Sequence, residues 1–158
     1  MDEGVEVLSG GLEIVGHIEA MWRKLTLHAA DHSPHFSAQF AQRDFKDRCD
    51  ELRRKASVGL VHIDVARDAR SGLDLGYCIS SVEPAGSGEI ESLFVDEACR
   101  GRGIGDALIK RAVDWMEASG AKSIAVFTVY GSEGVLPFYA RYGFLPKMVM
   151  LERKKEQG

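Results

Sequence analysis

The chain has 158 residues, 45% hydrophobic and 28% charged, with 24 acidic against 20 basic side chains and a net charge of −4. That is the length and balance of one folded globular domain, and it excludes a disordered chain. No apolar run approaches the ~20 residues of a membrane span, and the acidic balance weighs against a nucleic-acid-binding surface. The start Met1-Asp2-Glu3 lacks a signal peptide's basic region. Val5 and Val7 read as a short first strand. After Gly10-Gly11, the residues Val15, Ile18, Trp22 and Leu25 recur at helical spacing. Ser33-Pro34 has the form of an N-cap followed by proline at the first helical position. Phe36, Phe40, Phe45, Cys49, Leu52 and Ala56 then trace a second amphipathic helix. Val58–Val65, Leu73–Val82 and Glu89–Val95 read as three strands joined by turns, most economically an antiparallel meander.

Past Val95 the period changes. Ile104, Leu108, Ala112, Trp115 and Met116 mark a helix, with Gly120 as its C′ residue. Ser123–Val129 reads as a buried strand, Pro137–Tyr142 as a helix ended by Gly143, and Phe144–Leu151 as a last strand. Glu152–Gln157 is a charged tail. The expected organisation is a single domain over 1–158, helical over 1–56 and sheet-rich over 57–154. Cys49, Cys78 and Cys99 are an odd number without a C-x-x-C pair. This speaks against a disulfide framework or a thiolate zinc site and fits a reducing cytoplasm.

Seventeen glycines are many for this length, and they cluster where a strand runs into a helix: Arg100-Gly101-Arg102-Gly103-Ile104-Gly105-Asp106. The first N–H groups of a helix have no partners within it, and the helix dipole favours an anion there. Glycines let the backbone approach a phosphate closely, and Arg100 and Arg102 add two cations. The constellation suits a pyrophosphate. A Rossmann G-x-G-x-x-G fails, because the third glycine falls on Asp106 or Leu108; the P-loop pattern is absent.

Arg100 to Gly105 resembles the Q/R-x-x-G-x-G/A signature of the GNAT N-acetyltransferase superfamily. Downstream, Phe138-Tyr139-Ala140-Arg141-Tyr142-Gly143-Phe144 is similar to that family's F-Y-x-x-x-G-F segment. The resemblance covers about Leu60 to Leu151; the first 56 residues carry no subfamily motif. It implies an α/β (α+β) fold with a mixed, largely antiparallel central sheet flanked by helices. It implies that the Arg100–Asp106 loop binds the pyrophosphate of acetyl-CoA. The strand segment Leu93-Phe94-Val95 would offer main-chain groups to the acetyl carbonyl and pantetheine arm, in a gap between splayed strands. Many relatives have asparagine seven residues before the tyrosine, near the pantetheine; this chain has Ser132, which puts that contact in doubt.

Acetyl transfer to an amine needs a proton acceptor for the amine, stabilisation of the carbonyl oxygen, and a proton donor for the thiolate. Tyr139 resembles the family's general acid; the alternative is a tyrosine that only packs against the cofactor. Glu91 is the expected base, with Glu89, of the same strand parity, or a water as alternatives. His28, His32 and His35 beside Asp31 suggest a metal only weakly, since Ser33-Pro34 interrupts their helix; no metal is expected, and a loop near the acceptor pocket is the preferred reading. Cys99, near a helix N-terminus and two arginines, reads as inert, and Trp22, Trp115, Phe138 and Phe144 as core. The expected reaction is direct acetyl transfer from acetyl-CoA to a primary amine of a small molecule or peptide. A non-catalytic CoA-binding or sensory module of the same fold is the second reading. No nucleic-acid or membrane partner is expected, Lys154-Lys155 being too short a basic tail. A homodimer is the fair prior for assembly.

Overall fold

Five strands lie side by side in chain order: β1 (Val5–Gly10), β2 (Leu60–Asp68), β3 (Asp74–Val82), β4 (Ser87–Val95) and β5 (Ser123–Val126). β1 to β4 are antiparallel, and β5 joins β4 in parallel. The expected meander and mixed sheet are therefore observed. The parallel step is made by a helix, as parallel neighbours require a crossover. This computed structural model describes residues 3–155; Met1, Asp2, and the Glu156, Gln157 and Gly158 that close the expected tail, lie outside them.

The helices divide between the two faces of the sheet. On one face, a 3₁₀ segment at Leu12–Ile18 leads into α1 (Glu19–His32), followed by α2 (Ser37–Ala41) and α3 (Phe45–Val58). Ile18, Trp22, Phe45 and Leu52 pack there on Ile63, Tyr77 and Ile79. On the other face, α4 (Ile104–Ala118) lays Leu108, Ile109, Ala112 and Met116 against Cys78, Val82 and Ile90. The short α5 (Leu136–Ala140) brings Tyr139 into that second cluster. Left-handed Gly120, just past α4 at φ +91°, has the expected C′ geometry, and Gly143 at φ +86° follows α5.

Three sequence-based expectations are corrected. The second helix is two helices. Ser33 Oγ accepts from Phe36 N–H at 3.1 Å and closes a turn, not a helix. Asp44, in extended backbone, caps α3 by accepting from Lys46 N–H at 3.1 Å. The strand expected over Ser123–Val129 stops at Val126. The last expected strand, Phe144–Leu151, pairs with no strand among the described residues. Met148, Val149, Met150 and Leu151 are all exposed.

Candidate active site

The site begins with an irregularity in β4. Cα partners run Ser80↔Ile90 and then Ile79↔Ser92, so Glu91 is an extra residue, a β-bulge. The pairing of β4 with β5 ends at the same point, at Ile90↔Val126. Beyond it β5 leaves, and Glu91 to Val95 hold only β3. Their main-chain groups on the open side have no strand partner, which is the gap expected beside Leu93, Phe94 and Val95.

The chain then turns through Asp96, which accepts from Ala98 N–H at 3.1 Å and from Lys24 Nζ of α1 at 2.9 Å. Gly101 and Gly103 both adopt left-handed backbone, at φ +85° and +74°, and Gly103 is the N-cap of α4. A side chain at either would be strained. The first helical bond runs from Ala107 N–H to Gly103 O at 3.1 Å, so the N–H groups of Ile104, Gly105 and Asp106 precede any carbonyl partner in the helix. Arg100 is exposed and Arg102 half-buried at this turn. The Asp106 carboxylate faces elsewhere. It accepts from the Tyr142 hydroxyl and pairs with Arg141 at 3.1 Å, leaving its N–H as its contribution to the loop. Cys99 is free and half-buried.

Loop, strand and α5 converge. A Cβ added to Gly105 would lie 3.5 Å from the Phe138 ring and 3.7 Å from Val95. Tyr139, 8% exposed, packs edge-on to Phe138 and Phe144. Tyr139 shares its buried cluster with Cys78, the β3 partner of Leu93. Burial pushes the phenol pKa well above its ordinary value, so the hydroxyl keeps its proton at neutral pH. Among the described residues nothing hydrogen-bonds it. Ser132 Oγ is likewise buried without a partner. The segment carrying it is pressed on α1 so closely that a Cβ on Gly131, at φ +104°, would fall 2.0 Å from His32 O.

The acidic pair lies on the α3 side of β4. Glu91 has a side chain only 1% exposed. Its carboxylate accepts from Arg48 at 3.2 Å, Lys55 at 2.5 Å and Ser81 at 2.6 Å. Burial alone would raise its pKa, but these donors outweigh it and hold it below the usual carboxylate value. A carboxylate held by three donors is a weak base, which counts against the expectation for Glu91. Glu89 differs. It is 30% exposed and meets Lys55 at a long 3.5 Å. Burial, then the neighbouring Glu91 charge, raise its pKa. Arg48 and Lys55 were missed in the sequence. Their signal was a pair of cations interleaved with Phe45, Cys49, Leu52 and Ala56 on the buried stripe of α3.

The histidines form no ligand set. The His28 and His32 rings meet at a tilt with centroids 4.1 Å apart, His32 Nδ1 lies 2.8 Å from His28 O, and His35 stacks on Tyr130. Among the described residues no three His, Cys, Asp or Glu converge as metal ligands. Next to His35 is an open hollow of about 670 Å³, between the α1–α2 loop and Glu152–Lys155.

The model of the acetyltransferase (GNAT) family matches residues 22–144. The chain belongs to the GNAT acetyltransferase family. As such it is an enzyme of the acyltransferase class. Over 72 residues it is 38% identical to an uncharacterized N-acetyltransferase of Methanocaldococcus jannaschii, covering 46% of this chain and 32% of that protein, so the match spans about a third of the relative's length. Over 122 residues it is 30% identical to glucosamine 6-phosphate N-acetyltransferase 1 of rice, Oryza sativa subsp. japonica, covering 73% of this chain and 70% of that one. A GCN5-related N-acetyltransferase from Ralstonia eutropha superposes with a TM-score of 0.73 at 22% identity, over 96% of this chain and 99% of the other. Glucosamine-6-phosphate N-acetyltransferase from Arabidopsis thaliana does so at 0.66 and 17%, over 98% and 100%. At these identities the superpositions establish the GNAT fold. No helix among the described residues is long and apolar enough to cross a membrane.

Proposed function

We propose that this chain transfers the acetyl group of acetyl-CoA directly to a primary amine. The observation that carries the reading is the β4 main chain left unpaired past Glu91, ending in a left-handed glycine turn at the N-terminus of α4. The residues fit the ligand. Gly101, Gly103 and the N–H groups of Ile104 to Asp106 would cradle the pyrophosphate, with Arg100 and Arg102 beside it. The open edge over Leu93 to Val95 would hold the pantetheine and the acetyl oxygen. The orphaned Ser132 hydroxyl would supply one further hydrogen bond.

In the reaction a C–N bond forms as the amine attacks the acetyl carbon, and the C–S bond breaks. The amine proton passes to Glu89, directly or through a water, since Glu89 is the more basic and more open carboxylate of the pair. Glu91, the expected base, serves better as an anchor. The departing thiolate takes the Tyr139 proton, which the buried phenol then regains from solvent. The glucosamine-6-phosphate relatives put an amino-sugar phosphate first among the acceptors to try, with aminoglycosides, polyamines and peptide amines after it. Three free cysteines support a reducing, cytoplasmic setting, and a homodimer remains the fair prior.

Two measurements test the proposal. Acetyl-CoA should raise the melting temperature of the protein by mass action. Gly103→Val should abolish that rise, because a β-branched residue cannot hold φ +74°. A thiol-release screen of those amines should then find turnover. Equal thermal shifts in both proteins would refute the loop assignment. Binding without turnover of any amine would favour the non-catalytic module.

A further inference from the structure

The bulge at Glu91 is held from outside the sheet. Arg48 Nη2 donates to the Glu91 main-chain carbonyl at 3.0 Å and to its carboxylate at 3.2 Å, while Nη1 reaches Glu51 at 3.1 Å. Lys55, two turns further along α3, and Ser81 of β3 bind the second carboxylate oxygen. The extra residue of β4 is thus tied to α3 and β3 through its backbone and its side chain together.

That residue decides which way the rest of β4 faces. Ile90 packs beneath α4, and a Cβ on Gly88 would touch Met116 there. With unbroken alternation Ser92 would follow them and Leu93 would turn to α3. Instead Leu93 and Val95 pack on the α4 cluster, Phe94 packs on the α3 side, and Ser92 bonds the Tyr77 hydroxyl at 2.7 Å. Main-chain N–H and C=O groups alternate between strand edges with the same period. The extra residue therefore also reassigns which groups of Ser92 to Val95 bind β3 and which face the gap.

We infer that Arg48, acting through Glu91 with Lys55 and Ser81, is a positioning residue that locks the β4 bulge and so fixes the main-chain groups presented to the thioester end of acetyl-CoA. The inference rests on the acetyl-CoA reading above. Arg48 touches no reacting atom; its effect is geometric. A displacement near 1 Å at a reacting centre can cost ~10²-fold.

The test is steady-state kinetics on Arg48→Met, Arg48→Lys and Glu91→Gln, with Leu52→Val on the same helix as a packing control. Arg48→Met should raise the acetyl-CoA KM and lower kcat/KM by about 10–100-fold. The acceptor KM should stay within about twofold. Arg48→Lys, whose single ammonium cannot span the carbonyl and the carboxylates at once, should fall between Met and wild type. Glu91→Gln should show the same acetyl-CoA defect at every pH, without the alkaline recovery of a lost base. Leu52→Val, in the core, should lower the melting temperature but leave the acetyl-CoA KM unchanged. If Arg48→Met does not fold, the Lys and Gln variants decide alone. An acetyl-CoA KM in the Arg48 variants no higher than in Leu52→Val would overturn the inference while leaving the acetyl-CoA reading intact. A wild-type chain that neither binds nor turns over acetyl-CoA would overturn both.

Discussion

Once its ring is buried, the Tyr139 hydroxyl has one useful property left, a proton with no competing partner among the described residues. Tyr139→Phe keeps the ring and its edge-on contacts, so folding and acetyl-CoA affinity should change little. Positioned acid catalysis is worth ~10²–10⁴-fold, and turnover should drop within that range. It should not vanish, because a thiolate with a cysteine-like pKa near ~8.5 leaves unassisted at some cost. Turnover within a factor of two of wild type would reduce Tyr139 to packing. The two glutamates separate by the same logic. Glu89, raised by burial and by its neighbour, is the better proton acceptor at neutral pH. Glu89→Gln should lower the rate most below the pKa of the acceptor amine and recover as the free amine becomes abundant. A pH–rate profile parallel to wild type would remove Glu89 from the proton path. The Arg100–Gly105 loop was legible residue by residue, since a left-handed cradle at a helix start is written in local glycines. The ties of Glu91 were not. They join residues 43 and 36 positions apart in the chain, and alternation along a strand says nothing of a bulge that breaks it.

At the scale of elements, α3 matters because it carries Arg48 and Lys55 to the bulge. Its start is fixed by Asp44, whose carboxylate takes one of the orphan N–H groups. Asp44→Ala should cost about 1 kcal/mol, a fall of about 2–4 °C in melting temperature for a chain of this size. Asp44→Ser should restore most of it. An unchanged Asp44→Ala melt would show that packing alone sets the helix start. The same residue explains why one expected helix is two. The apolar spacing through Phe36, Phe40 and Phe45 continues across the break, and only the capping aspartate marks it. The meander, α4 and the order of elements were readable from period and turns, because each rests on neighbours in sequence. The two failures were both of pairing. Phe127 to Val129 and Phe144 to Leu151 are β-prone, but a strand forms only where its main chain meets a partner, and β5 stops pairing at Val126, level with the bulge in β4.

Across the whole molecule, two buried carboxylates tie helices to the sheet from opposite faces. Glu91 holds α3. Asp64, 1% exposed on β2, accepts from Ser9 of β1 at 2.5 Å, lies 3.1 Å from His62 Nε2, and pairs with Arg111 of α4 at 3.3 Å. Burial pushes both pKa values up, but in each the donors and cations outweigh it and leave the pKa lowered. A carboxylate more acidic in the folded state than in the unfolded one contributes stability above the ordinary range near ~4 and loses it as pH falls through the lowered value. Glu89, shifted upward, works the other way: its ionisation is penalised in the folded state as pH rises through its raised value, which softens the loss on the acid side. The net expectation is a urea midpoint that declines below about pH 4. Asp64→Asn should remove about 2 kcal/mol at pH 7, less than the 3–5 of a fully buried pair because Arg111 is half exposed. The gap between the two proteins should begin to narrow near pH 4, where the unfolded carboxyl takes up its proton, and go on narrowing as pH falls through the lowered folded value, below which the amide no longer differs from the carboxyl in charge. Urea melts at pH 7, 5, 4 and 3 measure this directly. A gap that stays constant across that series would mean that Asp64 contributes through shape and hydrogen bonding alone, and that its charge does not bind α4 to the sheet.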